Sequence, residues 1–254
     1  MESITDSQEK PLDEALAEPM NPIDNAEWLA VHSISEKDYE PGGNEILGYL
    51  VVNGNERASS ELHERLDHGQ SNAARVLALV SGDPKYLDAQ LQAVKGNILN
   101  ADSMGSYGRK YRDPAEKVAL NSIDKLCDTA RKIGAEGYLM ELLEGIDDEK
   151  ISKDALIEHM QTRFSEERPE ADLDTPMFVV QVGEEDEQTI DALVSETLTG
   201  TEDIETILSS VEALEDKMAR VVAYNRIAQA LKLKEQGSHL DKEDIAGITP
   251  SVIK

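Results

Sequence analysis

The sequence predicts an all-α protein, mostly α and built from helical hairpins, with one short β-strand at residues 177–182. Three observations support this fold class. The core must be aliphatic, because the chain has only two Phe and one Trp among its 254 residues. Apolar residues recur at spacings of three and four, as they do on one face of a helix. Glycines and Asp-Pro pairs stand where helices are expected to end and begin.

Residues 1–24 are predicted to form a disordered acidic tail, because they hold three prolines and too few apolar residues to offset the entropy lost on folding. Asp24 and Glu27 have the spacing of a capping box, which predicts that the first helix begins at Asp24. Residues 45–52 fit either a buried helix or a strand, and we favour the helix.

Residues 25–164 are predicted to form a helical domain. Asp83-Pro84 and Asp113-Pro114 each indicate a helix start, because Asp caps free N–H groups and Pro has no N–H to satisfy. Gly134 and Gly145 stand where left-handed C-terminal caps are expected.

Residues 165–184 read as an acidic linker that contains the 177–182 strand, Met-Phe-Val-Val-Gln-Val, whose apolar and β-branched content is typical of strands. A lone strand is unstable, so it would pair with residues 46–52 or with a partner chain. Residues 185–254 are predicted to form a C-terminal helical hairpin.

Two segments of the chain resemble each other. Residues 118–123, Val-Ala-Leu-Asn-Ser-Ile, match the pattern of residues 222–227, Val-Ala-Tyr-Asn-Arg-Ile. A short helical-repeat array would produce such internal sequence similarity. Chance similarity between two amphipathic helices explains it equally well, and the sequence leaves both explanations open.

The charge of the chain is strongly negative and unevenly distributed. The formal net charge is −27, and residues 1–45 alone hold 12 acids and two bases. This sign disfavours binding to nucleic acid or to anionic membranes, because both need cationic contacts. No apolar stretch approaches the ~20 residues needed to cross a bilayer, and the first residues lack the pattern of a signal peptide. With a single cysteine excluding an intramolecular disulfide, we expect a cytoplasmic protein.

The sequence predicts no catalytic apparatus, cofactor or metal site. His63 and His68 are five residues apart, whereas a zinc-protease helix needs two His at i and i+4. None of the five His follows a Glu by three residues, as di-iron bundles require. Cys127 lies beside an apolar helix stripe between Asp124 and Asp128, which predicts a small core residue rather than a nucleophile.

One basic and aromatic segment is a candidate binding site. It is predicted to be a loop before the helix at Asp113, and it would bind an anion, an acidic peptide or a nucleotide through cation contacts and aromatic stacking. Its candidate residues are Tyr107, Arg109, Lys110, Tyr111 and Arg112. The alternative is that these cations neutralise the protein's own acids or solvate the loop.

Asn225 is the other candidate binding residue, because it interrupts the apolar side of its helix. The alternative role for such an amide is to satisfy a loop carbonyl or to fix helix register.

Taken together, these features predict a protein–protein interaction or adaptor module of helical-hairpin type with a protein partner. Two alternatives remain open at this stage. One is an enzyme whose acid and base residues are dispersed in the sequence. The other is an accessory subunit that donates the 177–182 strand to a partner's sheet. The sequence does not determine the oligomeric state.

Overall fold

The structure is a computed structural model, and it describes residues 20–35, 43–105, 108–146, 153–165 and 177–236. These ranges contain eleven α-helices and no β-strand, which confirms the all-α prediction. The helices are α1 (Pro22–Ser35), α2 (Gly43–Val52), α3 (Glu56–Asp67), α4 (Ser71–Ser81), α5 (Tyr86–Gly105), α6 (Arg109–Lys132), α7 (Glu136–Glu144), α8 (Lys153–Ser165), α9 (Glu184–Thr199), α10 (Ile204–Glu212) and α11 (Lys217–Glu235). No helix in the described ranges is long and apolar enough to cross a membrane.

The first of two hydrophobic cores joins the two ends of the chain. Helices α1–α4 supply residues such as Leu47, Leu50 and Leu62, and α9–α11 supply Ile190 and Tyr224. Helix α11 is buried on several sides and packs along α1. Residues 185–235, the described part of the predicted C-terminal hairpin, thus share one core with α1–α4.

The second core is formed by α5–α8. Leu91, Leu126, Leu139 and Met160 are among its buried residues, and α5 and α6 pack against each other as a helical hairpin. Ile133 is partly buried against both cores. The two cores are therefore continuous through the end of α6.

Helix α1 begins earlier than the sequence predicts. Asn21 is the capping residue: its Oδ1 accepts the Asp24 N–H at 2.9 Å, and its Nδ2 donates to Asp24 Oδ2 at 2.9 Å. Pro22 follows as the first helical residue, where its missing N–H costs nothing. Residues 22–24 thus belong to α1, and residues 1–19 of the predicted tail lie outside the described residues.

The predictions for the two candidate strands have opposite outcomes. Residues 45–52 are helical within α2, as we favoured. The strand at 177–182 is wrong, because these residues have no regular secondary structure. Val182 is 8% exposed, while Val179 is 53% exposed. Successive side chains of this segment therefore point alternately towards the core and towards solvent, as they do in a strand. Helices of the first core cover the inward side, and this explains the apolar alternation without any neighbouring strand.

The predictions of left-handed caps at Gly134 and Gly145 also have opposite outcomes. Gly134 has a φ of 67° at the end of α6 and is left-handed, as predicted. Gly145 has a φ of −78° and is right-handed, so that prediction is wrong. Its N–H donates to Glu141 O at 3.3 Å and to Leu142 O at 3.2 Å, which continues the helical turn.

The two similar segments lie in different environments. In α6, Ala119 is buried, but Val118 and Leu120 are 52% and 49% exposed. In α11 all of residues 222–227 are buried. The residues that the two segments share therefore lie in an amphipathic helix in one case and in a buried central helix in the other.

Candidate functional site

A surface groove lies between α1 and α3. Its volume is about 370 Å³, and its described lining residues are Trp28, Val31, His32, Arg57, Ser60, Glu61 and Glu64. Trp28 and His32 are four residues apart, so both project from the same side of α1. Their rings are stacked, with centroids 4.3 Å apart and planes inclined by 14°. Trp28 is the only Trp of the chain and is 37% exposed.

The Arg57 and Met20 side chains are in contact with each other near this groove. The Arg57 Nη2 donates to Met20 Sδ at 3.6 Å, and Met20 is 45% exposed. The Arg57 Nε is buried and has no hydrogen-bond partner in the described part of the chain. Exposed Met and Trp side chains beside an Arg are a composition that protein interfaces favour.

The groove continues along α3 into a shallow depression with acidic walls. Glu56, Ser59, Ser60, His63, Glu64 and Asp67 line this depression, which shares Ser60 and Glu64 with the groove. Residues 56, 60, 64 and 67 are spaced by four, four and three, so they form one helix face. Within the described residues, Glu56, Glu64 and Asp67 form no ion pair. We call the groove and depression together the α1/α3 groove.

Glu61 is the exception among these acids, because Arg65 neutralises it. The Arg65 Nε lies 2.7 Å from Glu61 Oε1, one turn further along α3. The carboxylates of Glu56, Glu64 and Asp67 therefore leave the groove with a net negative charge even when the Arg57 guanidinium is counted.

His63 is held in place through both of its ring nitrogens. Nδ1 lies 2.8 Å from the Ser59 carbonyl oxygen, so it carries the proton and donates. Nε2 lies 2.9 Å from the Tyr86 hydroxyl, within hydrogen-bond distance. No group of three or more His, Cys, Asp or Glu side chains among the described residues is placed to hold a metal ion.

A buried polar network sets the angle between α1 and α3. Asn55 caps α3 by accepting the Ala58 N–H at 3.0 Å, and its Nδ2 donates to the Glu27 carbonyl of α1 at 3.4 Å. The same Nδ2 donates to Asn225 Oδ1 at 3.3 Å. Glu27, which is 3% exposed, forms an ion pair with Lys232 at 2.6 Å. Helix α11 thus fixes the two walls of the groove.

Asn225 belongs to this buried network. It is 1% exposed, and it bonds the cap of α3 rather than a loop carbonyl. Two further side chains of α11 do bind the adjacent turn: Gln229 donates to Asn53 O, and Lys232 donates to Gly54 O at 2.9 Å.

The basic and aromatic segment is not the loop that the sequence predicts. Residues 109–112 form the first turn of α6, which begins at Arg109 instead of Asp113. The helix continues through Pro114, which lacks the N–H that would otherwise donate to the Lys110 carbonyl. Tyr107 and the side chains of Arg109, Lys110, Tyr111 and Arg112 lie outside the described part.

Cys127 lies in the second core and is 2% exposed. Burial, followed by the charge of Asp124, raises the pKa of its thiol to about 12. The thiol stays protonated near neutral pH, which is unfavourable for a nucleophile.

Sequence reasoning missed Trp28 as a site residue. The buried residues of α1 are Ala26, Glu27, Ala30, Val31 and Ile34, which form one stripe. Trp28 and His32 lie off this stripe, and an aromatic residue off the apolar face of an amphipathic helix is the signal that was available. Comparison with protein-family models, curated proteins and solved structures found no match to this chain.

Proposed function

We propose that this protein is a protein-interaction module that binds a basic segment of a partner protein in the α1/α3 groove. The observation that carries the proposal is the stack of the exposed Trp28 on His32, beside a row of carboxylates that form no ion pair within the described residues. Trp and Arg are the residues that most often dominate the energy of protein interfaces. The carboxylates would select a cationic partner and accelerate its approach.

Charge favours a basic partner over other occupants of the groove. A second copy of the chain would also carry a charge of −27 and would be repelled. Residues 1–19 hold six acids and one base, so the chain's own N-terminal segment has the wrong sign. A lysine- or arginine-rich segment with an apolar anchor matches both the acids and the Trp28 face.

The alternative of strand donation by residues 177–182 has weaker support. Phe178 and Val180 are partly buried against the first core, and Val182 is buried in it. Residues 177–182 thus already pack on the protein's own helices through one side.

Trp28 provides a direct test, because it is the only Trp and lies in the groove. Its fluorescence should change on titration with a synthetic peptide of alternating lysine and leucine. A peptide with glutamate at each lysine position should leave the fluorescence unchanged. Affinity for the basic peptide should fall as salt rises, because exposed charges are screened beyond about 8–10 Å.

Charge-reversal variants distinguish the effect of the groove's own acids on binding from the effect of the net charge of the chain. Glu64→Lys with Asp67→Lys should weaken peptide binding by about tenfold or more, since two attractive contacts become repulsive. Glu212→Lys with Glu235→Lys changes the net charge equally at exposed positions outside the groove and should have little effect. Equal losses in both variants would mean that only net charge matters.

Binding that appears only after deletion of residues 2–19 would assign the groove to the N-terminal segment. Either result would contradict the proposal.

A further inference from the structure

A second pocket, on the other side of α3, has the opposite chemical character. It lies between α3, α4, α5 and α6, with the start of α2 at its edge, and its volume is about 500 Å³. This volume is within the range of small-molecule sites. None of its described lining residues is acidic or aromatic, in a chain that carries a charge of −27.

Three cationic side chains line this pocket: Arg65, Arg75 and Lys125. Arg65 and Arg75 are bonded to Glu61 at 2.7 Å and to Glu45 at 2.9 Å. When these two carboxylates are counted, the formal charge around the pocket is still +1. Each guanidinium also keeps N–H groups that these bonds do not use, since Arg offers five donors.

The start of α4 adds backbone donors to the same wall. Gln70 occupies the capping position but makes no capping hydrogen bond. The first N–H groups of a helix have no partner inside the helix, so those of Ser71 and Asn72 are available. Both residues line the pocket. The positive end of the helix dipole favours an anion at this point.

Gln90 gives an independent indication that a ligand belongs here. It lines the pocket from α5, and it is 6% exposed. Its Nε2 is buried without a hydrogen-bond partner in the described residues. Buried amides without partners are uncommon because each lost hydrogen bond is costly. An oxygen atom of a bound molecule would satisfy this donor.

The remaining lining identifies the class of molecule. Asn97 and Ser122, bonded to each other at 2.8 Å, line the pocket together with Gln90. Carboxamides and hydroxyls both donate and accept, which matches the hydroxyl groups of a polyol. With no aromatic side chain among the described lining residues, the wall offers no stacking surface for a nucleobase.

We propose that this pocket binds a small phosphate ester of a polyol or sugar. The phosphate group would bind at the start of α4 with Arg65, Arg75 and Lys125, and the hydroxyl groups would bind Gln90 and Asn97. This site is separate from the α1/α3 groove, and it would remain if the groove had no partner.

Calorimetric titration at constant ionic strength tests the proposal with named probes. Glycerol 3-phosphate or glucose 6-phosphate should bind the wild-type chain more tightly than inorganic phosphate, and glucose alone should not bind. Citrate and sulfate distinguish recognition of a phosphate ester from general attraction of anions. Absence of binding by both phosphate esters, or equal affinity for citrate, would overturn the proposal.

Two variants and one matched control locate the site. Lys125→Ala and Gln90→Leu should each weaken phosphate-ester binding by about tenfold or more. Lys117→Ala removes the same charge from an exposed position of α6 outside the pocket, and it should bind normally. Gln90→Leu should also keep the melting temperature of the unliganded protein, because it removes a donor that has no partner. A lower unliganded melting temperature, or unchanged affinity in both variants, would refute the assignment.

Discussion

Replacing Gly48 by alanine tests how residues 177–182 are held on the helical core. A Cβ at this position of α2 would lie 2.7 Å from Val76 Cγ1 and 2.8 Å from the Phe178 ring. Carbon atoms in contact are normally about 3.5–4.0 Å apart, so both neighbours would have to move by nearly 1 Å. Overpacking of this kind costs about 1–3 kcal/mol, and two short contacts favour the upper half of that range. Alanine regains about 1 kcal/mol of helix propensity, which leaves a net loss of about 1–2 kcal/mol.

Gly96 provides the matched control for this change. It lies inside α5, and a Cβ there would meet no other atom within 4 Å. Gly96→Ala should therefore stabilise the protein by about 0.5–1 kcal/mol. The two substitutions are chemically identical, so urea denaturation of both should give free-energy changes of opposite sign.

Phe178→Ala completes a double-mutant cycle with Gly48→Ala. If Phe178 packs on Gly48, the glycine substitution should cost less in the Phe178→Ala background, since one of its two short contacts has gone. A Gly48→Ala protein as stable as the Gly96→Ala protein would refute the packing argument. Equal costs in the two backgrounds would show that Val76 alone opposes the methyl group.

Three further predictions concern buried groups. Because burial raises the pKa of the Cys127 thiol to about 12, the native protein at pH 8 should not react with a disulfide reagent, and rapid labelling would contradict this. Burial likewise raises the pKa of Tyr224 to about 12 from 10.0, so the unfolded chain ionises first and stability should fall as pH rises between these values. An absorbance titration of the tyrosines in which none ionises above its usual pH range would contradict the raised pKa of Tyr224. Arg226, 3% exposed, pairs with Glu187 at 2.9 Å and with Asp191, so Arg226→Met should cost about 1–3 kcal/mol in urea denaturation. A loss below about 1 kcal/mol would mean that solvent already screens the pair.

Helices were predictable from the sequence because their signals are local. The apolar stripe of α6 and the left-handed Gly134 both depend on residues within a few turns. The strand prediction at 177–182 failed for a physical reason. Alternating apolar residues indicate one covered side, but they do not say whether strands or helices cover it. Gly48, which is distant in sequence, leaves space for the Phe178 ring on α2.

The groove was not predictable in the same way, because its two walls come from separate helices. Asn55 and Asn225 are 170 positions apart, and their contact joins the start of α3 to α11, which packs along α1. The sequence did identify Asn225 as an unexpected amide on an apolar helix side. It could not identify the partner of that amide, and so it could not place Trp28 opposite the acids of α3.

The two proposed sites share one ion pair, and this has a measurable consequence. Glu61 lines the α1/α3 groove, whereas its partner Arg65 lines the cationic pocket. A phosphate ester in the pocket would compete with Glu61 for Arg65, and the released carboxylate would add negative charge to the groove. The phosphate ester should therefore strengthen binding of the basic peptide, and the peptide should strengthen binding of the ester equally. The Glu61 and Arg65 side chains are 26% and 11% exposed, so the pair is worth at most about 0.5–1 kcal/mol, or about two- to fivefold in affinity. Peptide titrations with glucose 6-phosphate, against potassium chloride of equal ionic strength, would measure this effect. Glu61→Gln should abolish it while both ligands still bind, and an unchanged effect in that variant would show that the coupling does not pass through this pair.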